Sequence, residues 1–371
     1  MAADGRFTLA AVGQSLIIHD VRDRAPAVFD AVVERVRAAD LAFTNYETSL
    51  AGDGTDGPSD PHPSDPATLD ALRWMGFDLL SLANNHAFEG GTSGVLRTRA
   101  YAEQLGFVPA GTGPDRASAA AAAFTQVAGR TVAFLAFDTA NLQTRASVAG
   151  EDGPPGVNPL RGRRADEGVE LDSEDVAAAL SSIRAAAGDA DHVVVSLHEH
   201  LWPKEWKDVA FEPAWHEDWR LPMTWKREFT HAAIEAGATV FLGHGYPRAS
   251  AVEVYRGCPI FHSLGNFIFH IDPEIERANP GMWRMPDVWH GYMAEIELSD
   301  AGAEEVRIVP LVLVDAAGEE GGPIGERSHP VFVAGDRAEA VLEGVIEDSA
   351  VLGTRVRLEG GIGVARLGAD T

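Results

Sequence analysis

The sequence predicts an α/β protein with a substantial sheet, and three observations carry that prediction. Short apolar runs alternate with segments of helical spacing up to Gly245. Those runs are strand-like and end in polar residues. From Ala251 onward the pattern changes to paired, alternating runs, which predicts antiparallel strands in a second sheet packed on the first. With 371 residues, 45% of them hydrophobic, the chain can bury a large core. We read residues 1–371 as one domain, with a Trp-rich insertion at about 199–229 and a C-terminal extension from about 316.

The elements follow in order. Phe7 to Val12 is a strand-like run followed by Gly13-Gln14-Ser15. Ala25 to Ala39 has helical spacing, with Val28, Phe29, Val32, Val33 and Val36 on one stripe. Leu41-Ala42-Phe43 is a short strand running into Thr44-Asn45-Tyr46-Glu47-Thr48. Gly52 to Pro66 is dense in turn residues and is a loop. Asp65 to Gly76 is a helix capped by Ser64 or Asp65. Asp78 to Ala83 is a buried strand ending in Asn84-Asn85-His86. Val95 to Leu105 is a helix stopped by Gly106, and the small-residue run Ala117 to Ala123 is expected to be helical.

Thr131 to Phe137 is a buried strand ending at Asp138. Gly150 to Arg164 is irregular, and the arginine-bearing stretch from Gly150 to Asp172 reads as a solvated loop. Ser173 to Ala187 is a helix. His192 to Leu197 is a strand ending in His198-Glu199-His200. Thr224 to Ala236 is a helix, and Thr239 to Leu242 a strand ending in Gly243-His244-Gly245. Val252 to Tyr255 and Pro259 to Ser263 flank an Arg256-Gly257 turn. His290 to Leu298 and Val306 to Val314 form a second hairpin, and Ala338 to Ile346 is a late helix.

Charge and cysteine usage narrow the function classes. A formal net charge of −26 argues against non-specific binding to nucleic acid or to a membrane surface. The single cysteine, Cys258, excludes an intrachain disulfide and a thiolate zinc cluster. No stretch has the length of a membrane helix and no signal peptide is evident, so the expected location is cytoplasmic.

Five strands end in ligand-capable residues: Gln14, Asn45 with Glu47, Asn85 with His86, His198 with His200, and His244. Asp138 ends a sixth. Parallel strands deliver their C-terminal ends to one crevice of an α/β sheet, so these tips are expected to converge on a metal. The donors mix amide oxygen, carboxylate and imidazole, which suits Ca, Mg, Mn or a mixed N/O zinc or iron site.

Asn45-Tyr46-Glu47-Thr48, Ala83-Asn84-Asn85-His86-Ala87, Val195-Ser196-Leu197-His198, Gly243-His244 and Ser263-Leu264-Gly265-Asn266-Phe267 stand in the order found in the CapA/PgsA-like family. Over roughly residues 7 to 315 the chain resembles that family, itself similar to calcineurin-type metallophosphoesterases and first associated with poly-γ-glutamate capsule synthesis. The resemblance implies a four-layer α-β-β-α sandwich with metal at the strand ends. Two motifs depart from the family. Its Gly-Asp is here Gly13-Gln14, and its paired histidines around a proline are here Gly243-His244-Gly245-Tyr246-Pro247. Two close cations need anionic bridging ligands, so we expect one divalent ion, calcium favoured with Mn, Mg or Zn as alternatives, and no organic cofactor.

Within the family the chain looks most like the branch of lasso-peptide epimerases. That implies inversion at the Cα of a C-terminal residue, tryptophan in that branch, of a precursor peptide; the alternative is a metallophosphoesterase, another hydrolase or a poly-γ-glutamate-related enzyme. Epimerisation needs a base on one face of the carbon and an acid on the other. On this reading His86 is the first base, partnered by Asp20 or Glu47. His198 serves the second face with Asp138, with His200 and His262 as alternatives. Gln14, Glu47, Asn85 and His244 are the expected metal ligands. Five of eight tryptophans and all three lysines lie between Glu199 and Arg227. That stretch is expected to be a lid that grips the peptide through Trp202, Lys204, Trp206 and Arg220. No membrane or nucleic-acid partner is expected, and the sequence does not set the oligomeric state.

Overall fold

The computed structural model describes residues 5–53, 63–139, 154–165, 168–202, 220–271, 285–320 and 326–367. Its first sheet is built around β1 (Phe7–Leu16). Parallel to it lie β2 (Leu41–Tyr46), β3 (Leu79–Ser81) and β4 (Val108–Ala110) in that order. Two short strands, β5 (Thr112–Gly113) and β8 (Gly156–Val157), pair with each other. The second sheet starts with β6 (Ala123–Val127) antiparallel to β7 (Arg130–Asp138). A separate hairpin joins β9 (Gly162–Ala165) to β10 (Gly168–Leu171). The stretch expected to be a solvated loop therefore contains paired strands. Arg161 of that stretch and Arg116, which precedes β6, both reach Asp175, whose side chain is buried.

The second sheet continues with β11 (His192–His198) and β12 (Val240–His244), both parallel to β7. It closes with β14 (Cys258–Phe261) and its hairpin partner β13 (Val252–Tyr255). The hairpin turns at Arg256 and Gly257, both with positive φ. The chain then returns to the first sheet. There β15 (Asn266–Phe269) pairs parallel with the end of β1, and β16 (His290–Ser299) pairs antiparallel with its start, along the edge opposite β2. From β17 (Gly302–Val314) outward the sheet gains β18 (His329–Phe332), β20 (Ile362–Arg366) and β19 (Arg357–Glu359).

Residues of α1 (Asp30–Ala38), α2 (Ala67–Met75) and α3 (Gly91–Gln104) pack against the outer face of the first sheet. The second sheet is covered by α5 (Ser173–Asp189) and α6 (Thr224–Glu235), with the short α4 (Arg116–Ala120) between β5 and β6. The last helix is α7 (Asp336–Val351). Strand residues alternate between two cores, as a period of two requires. Leu9, Ala11 and Phe43 meet Phe134, Val194 and Val240 between the sheets. Ala10, Val12 and Ala42 face the helices of the first side, and Val193 and Val195 face those of the second. The result is the four-layer sandwich.

Among the boundaries that differ from the sequence reading, two have a clear physical cause. The alanine-rich run from Ala117 is helical only to Ala120, because Ala121 is extended and Ala123 pairs with Phe134 on β7. Sheet pairing overrides the local helix preference of alanine. Helix α3 starts at Gly91, before the apolar stripe begins at Val95. Gly90 and Gly94 lie so close to the Leu50 carbonyl that a Cβ would stand 2.1 and 2.8 Å from it. Among the described residues no helix is long and apolar enough to cross a membrane.

Candidate metal centre

The parallel strands β1, β2 and β3 of one sheet and β7, β11 and β12 of the other end on the same side of the sandwich. Their tips touch across the inter-sheet gap. Asn45 Nδ2 lies 3.3 Å from His198 Nδ1, and the Gly245 N–H donates to Gln14 Oε1 at 2.8 Å. Glycines make the approach possible. A Cβ on Gly245, whose φ is +101°, would sit 2.4 Å from the Glu199 carbonyl oxygen, and one on Gly243 would sit 2.4 Å from that of His262.

Glu47, His198 and His200 form the cluster at this meeting point, with ligand atoms all within 4.8 Å of one another. Glu47 and His198 are buried, and His198 Nε2 stands 3.6 Å from Glu47 Oε1. The rings of His198 and His200 stack at 4.9 Å, and the Trp202 ring lies against His200 at the same centroid distance. Burial pushes Glu47 up to about 8 and drives both imidazoles down, His200 to about 3. The imidazoles are therefore neutral and ready to ligate.

These residues fit a cation. Glu47 Oε2, His198 Nε2 and Asn85 Oδ1 are buried with no hydrogen-bond partner among the described residues. Buried acceptors without donors cost stability unless something positive meets them. A carboxylate and two imidazoles form a mixed N/O donor set, with the Asn85 amide oxygen in the loop after β3, and the two imidazoles favour zinc, manganese or iron over the calcium expected from sequence.

Beside the cluster stands a histidine–carboxylate pair. His86 Nδ1 is 2.7 Å from Glu89 Oε1, and His86 Nε2 is 4.0 Å from Glu47 Oε1. The His86 backbone N–H donates to Asn84 Oδ1 at 3.0 Å, and Asn84 Nδ2 donates to the Tyr46 carbonyl at 2.7 Å. Asn84 thus ties the loop after β3 to the end of β2. Donation from Nδ1–H to Glu89 leaves Nε2 as the acceptor facing the cluster.

Other residues expected at the site make different contacts. Asp20 is held by Arg22 through Nε at 2.8 Å and caps the turn that follows, so it does not partner His86. Gln14 accepts from Gly245, so its oxygen is committed to the seam between the sheets. His244 uses both ring nitrogens, Nε2 with Ser196 Oγ at 2.6 Å and Nδ1 with His198 Nδ1 at 2.9 Å. Registry explains this, because His198 and His244 stand opposite each other on parallel strands. His244 therefore orients His198. Asp138 is in register with His198 on β7, yet the His198 nitrogens face Asn45, His244 and Glu47.

Trp202 is buried and lines a cavity with Arg220. Arg220 Nε is 2.7 Å from Asp348 Oδ1, so its guanidinium is engaged with α7. Lys204 and Trp206 lie outside the described residues. Sequence reasoning missed Glu89 as the partner of His86 and assigned His200 only a secondary role. The spacing His86-x-x-Glu89 and the alternation His198-x-His200 were the available signals.

A family model for the bacterial capsule synthesis protein PGA_cap matches residues 8–271. The chain is 25% identical to the uncharacterised protein y4sH of Sinorhizobium fredii, over 97% of this chain and 93% of that one. It is 28% identical to the PGA biosynthesis protein CapA of Bacillus subtilis, over 66% of this chain and 57% of that protein. A probable polyglutamine synthesis accessory protein of Mycobacterium tuberculosis is 27% identical, over 71% and 66% of the two chains.

Proposed function

The chain belongs to the bacterial capsule synthesis family PGA_cap, and from that premise we propose that it is a metal-dependent enzyme acting on an amide-linked peptide or polymer. The observation that carries this is the convergence of Glu47, His198 and His200, with the His86–Glu89 pair alongside. The names of relatives, one for PGA biosynthesis and one for polyglutamine synthesis, support the amide-linked substrate class.

Hydrolysis of the amide is the first reading, because one histidine–carboxylate pair faces the cluster among the described residues. A divalent ion held by Glu47, His198, His200 and Asn85 would supply Lewis-acid polarisation of a carbonyl oxygen. His86 Nε2 takes a proton from the attacking water and returns it to the leaving nitrogen. Glu89 fixes the tautomer that makes this possible and stabilises the imidazolium while it lasts. Burial of Glu47 and His198 keeps bulk water from competing at the cluster.

Inversion at a peptide Cα is the second reading. It is supported by Gln14 and His244 hydrogen-bonding to Gly245 and Ser196, contacts that suit one cation better than the two that phosphoester chemistry uses. One experiment separates the readings. The metal-loaded protein is incubated in deuterated water with a γ-glutamyl oligomer, a Trp-ended peptide and a generic phosphodiester. Free amine supports the first reading, and deuterium at Cα supports the second. Phosphodiester cleavage with two metals per chain would overturn both. His86→Ala should lower turnover by about 10²- to 10⁴-fold, with the metal-to-chain ratio unchanged at about one.

A further inference from the structure

A small, partly open cavity lined by Glu199, Trp202, Met223, Lys226 and His262 lies beside the cluster. Glu199, between the two cluster histidines in sequence, lies on its wall, as does Trp202, whose ring rests on His200. Two buried acceptors line the cavity without a partner among the described residues, Glu199 Oε2 and His262 Nδ1. Glu199 and His262 are 5% and 1% exposed, so bulk water does not satisfy them.

The state of each acceptor follows from its other contacts. His262 Nε2 donates to Glu253 Oε2 at 3.0 Å, which leaves Nδ1 a bare lone pair. Burial brings His262 down to about 4, so the ring is neutral at neutral pH. Glu199 Oε1 pairs with Lys226 Nζ at 2.8 Å. Lys226 Nζ also donates to the His262 carbonyl at 2.5 Å. An ammonium has three donors, so one remains.

The cavity thus presents two acceptors and one donor between the apolar surfaces of Trp202 and Met223. A primary carboxamide is the complement, with two N–H donors and one carbonyl oxygen. A carboxylate would meet Glu199 with like charge, and an ammonium would meet Lys226. A hydrocarbon would leave both acceptors unmet at a cost of about 1–3 kcal/mol each.

We propose that this cavity is a specificity subsite for a primary carboxamide on the substrate residue beside the reacting bond. The assignment rests on reading the adjoining cluster as the catalytic centre. The test is binding to the full-length, metal-loaded protein by calorimetry. Four probes are compared: the N-methylamides of acetyl-glutamine, acetyl-glutamate and acetyl-methionine, and acetyl-leucinamide. The first carries its carboxamide on the side chain and the last at the chain end, which distinguishes the two sources.

At least one amide probe should bind about tenfold or more tightly than the acid and the thioether. His262→Phe should weaken that probe about tenfold while the metal ratio holds. Glu199→Gln should raise the acid to the level of the amide or above, because Lys226 is then without its counter-charge. Equal binding of all four, binding of none, or a preference that survives His262→Phe would each overturn the assignment. The His262→Phe result decides alone if Glu199→Gln does not fold. Turnover and metal content are measured separately, so an absent cation would sink the enzymatic reading without touching the amide preference.

Discussion

Glu253 shows what one buried carboxylate can hold. Its Oε1 accepts from Arg227 at 2.8 Å and His231 at 2.9 Å, and its Oε2 from His262 at 3.0 Å. Burial pushes its pKa upward, but the hydrogen bonds from His262, Arg227 and His231 win and bring it from 4.5 to about 2. A carboxylate lowered on folding stabilises the fold above its unfolded pKa and loses that contribution as pH falls through the folded one. The acid limb between about pH 4.5 and 2 should therefore carry a Glu253 component. Denaturant melts of Glu253→Gln should be weaker at pH 7 and flatter across that window; an unchanged acid limb would contradict the argument. At this scale the sequence shows residue types and hides directions. Asn85, His86 and His198 are legible as strand-end polar groups. That Gln14 turns to a backbone N–H and Asp20 to its neighbour Arg22 depends on angles that no spacing encodes.

Elements were more legible than side-chain pairings because both faces of the central strands are buried. A run such as Val132 to Phe137 has no polar position, as suits a strand buried on both faces in the middle of a sandwich. Ends were less legible. The alanines after Arg116 suit a helix, and only the pairing of Ala123 with Phe134 shows why the helix stops. The C-terminal strands were read as an extension, although β18 and β20 both pair with β17 of the first sheet. Gly13 gives the sharpest test at this scale. It stands where β1 shifts register, and a Cβ there would lie 1.8 Å from the Gly265 carbonyl oxygen. Gly13→Ala should destabilise by about 3 kcal/mol or more, since backbone on both sides must move. A thermal melt within one degree of the parent protein would contradict this.

For the whole molecule the dominant quantity is charge. At −26, compaction works against self-repulsion, and a bound divalent cation relieves part of it where acceptors are densest. A ligand that binds only the folded state contributes about 2.7 kcal/mol at a hundredfold excess over its Kd. Chelation should therefore lower the midpoint of thermal unfolding by several degrees, and Glu47→Gln should abolish that response while keeping the fold. A melt indifferent to chelator would remove the cation from the account.

The contacts of Gln14 with Gly245 and of Asn45 with His198 join parts of the chain made far apart in time. A nascent polypeptide halted before residue 240 carries Glu47, His198 and His200 yet has no sixth strand end to brace His198. An ion held there would load late in maturation, once the second sheet has all its parallel strands.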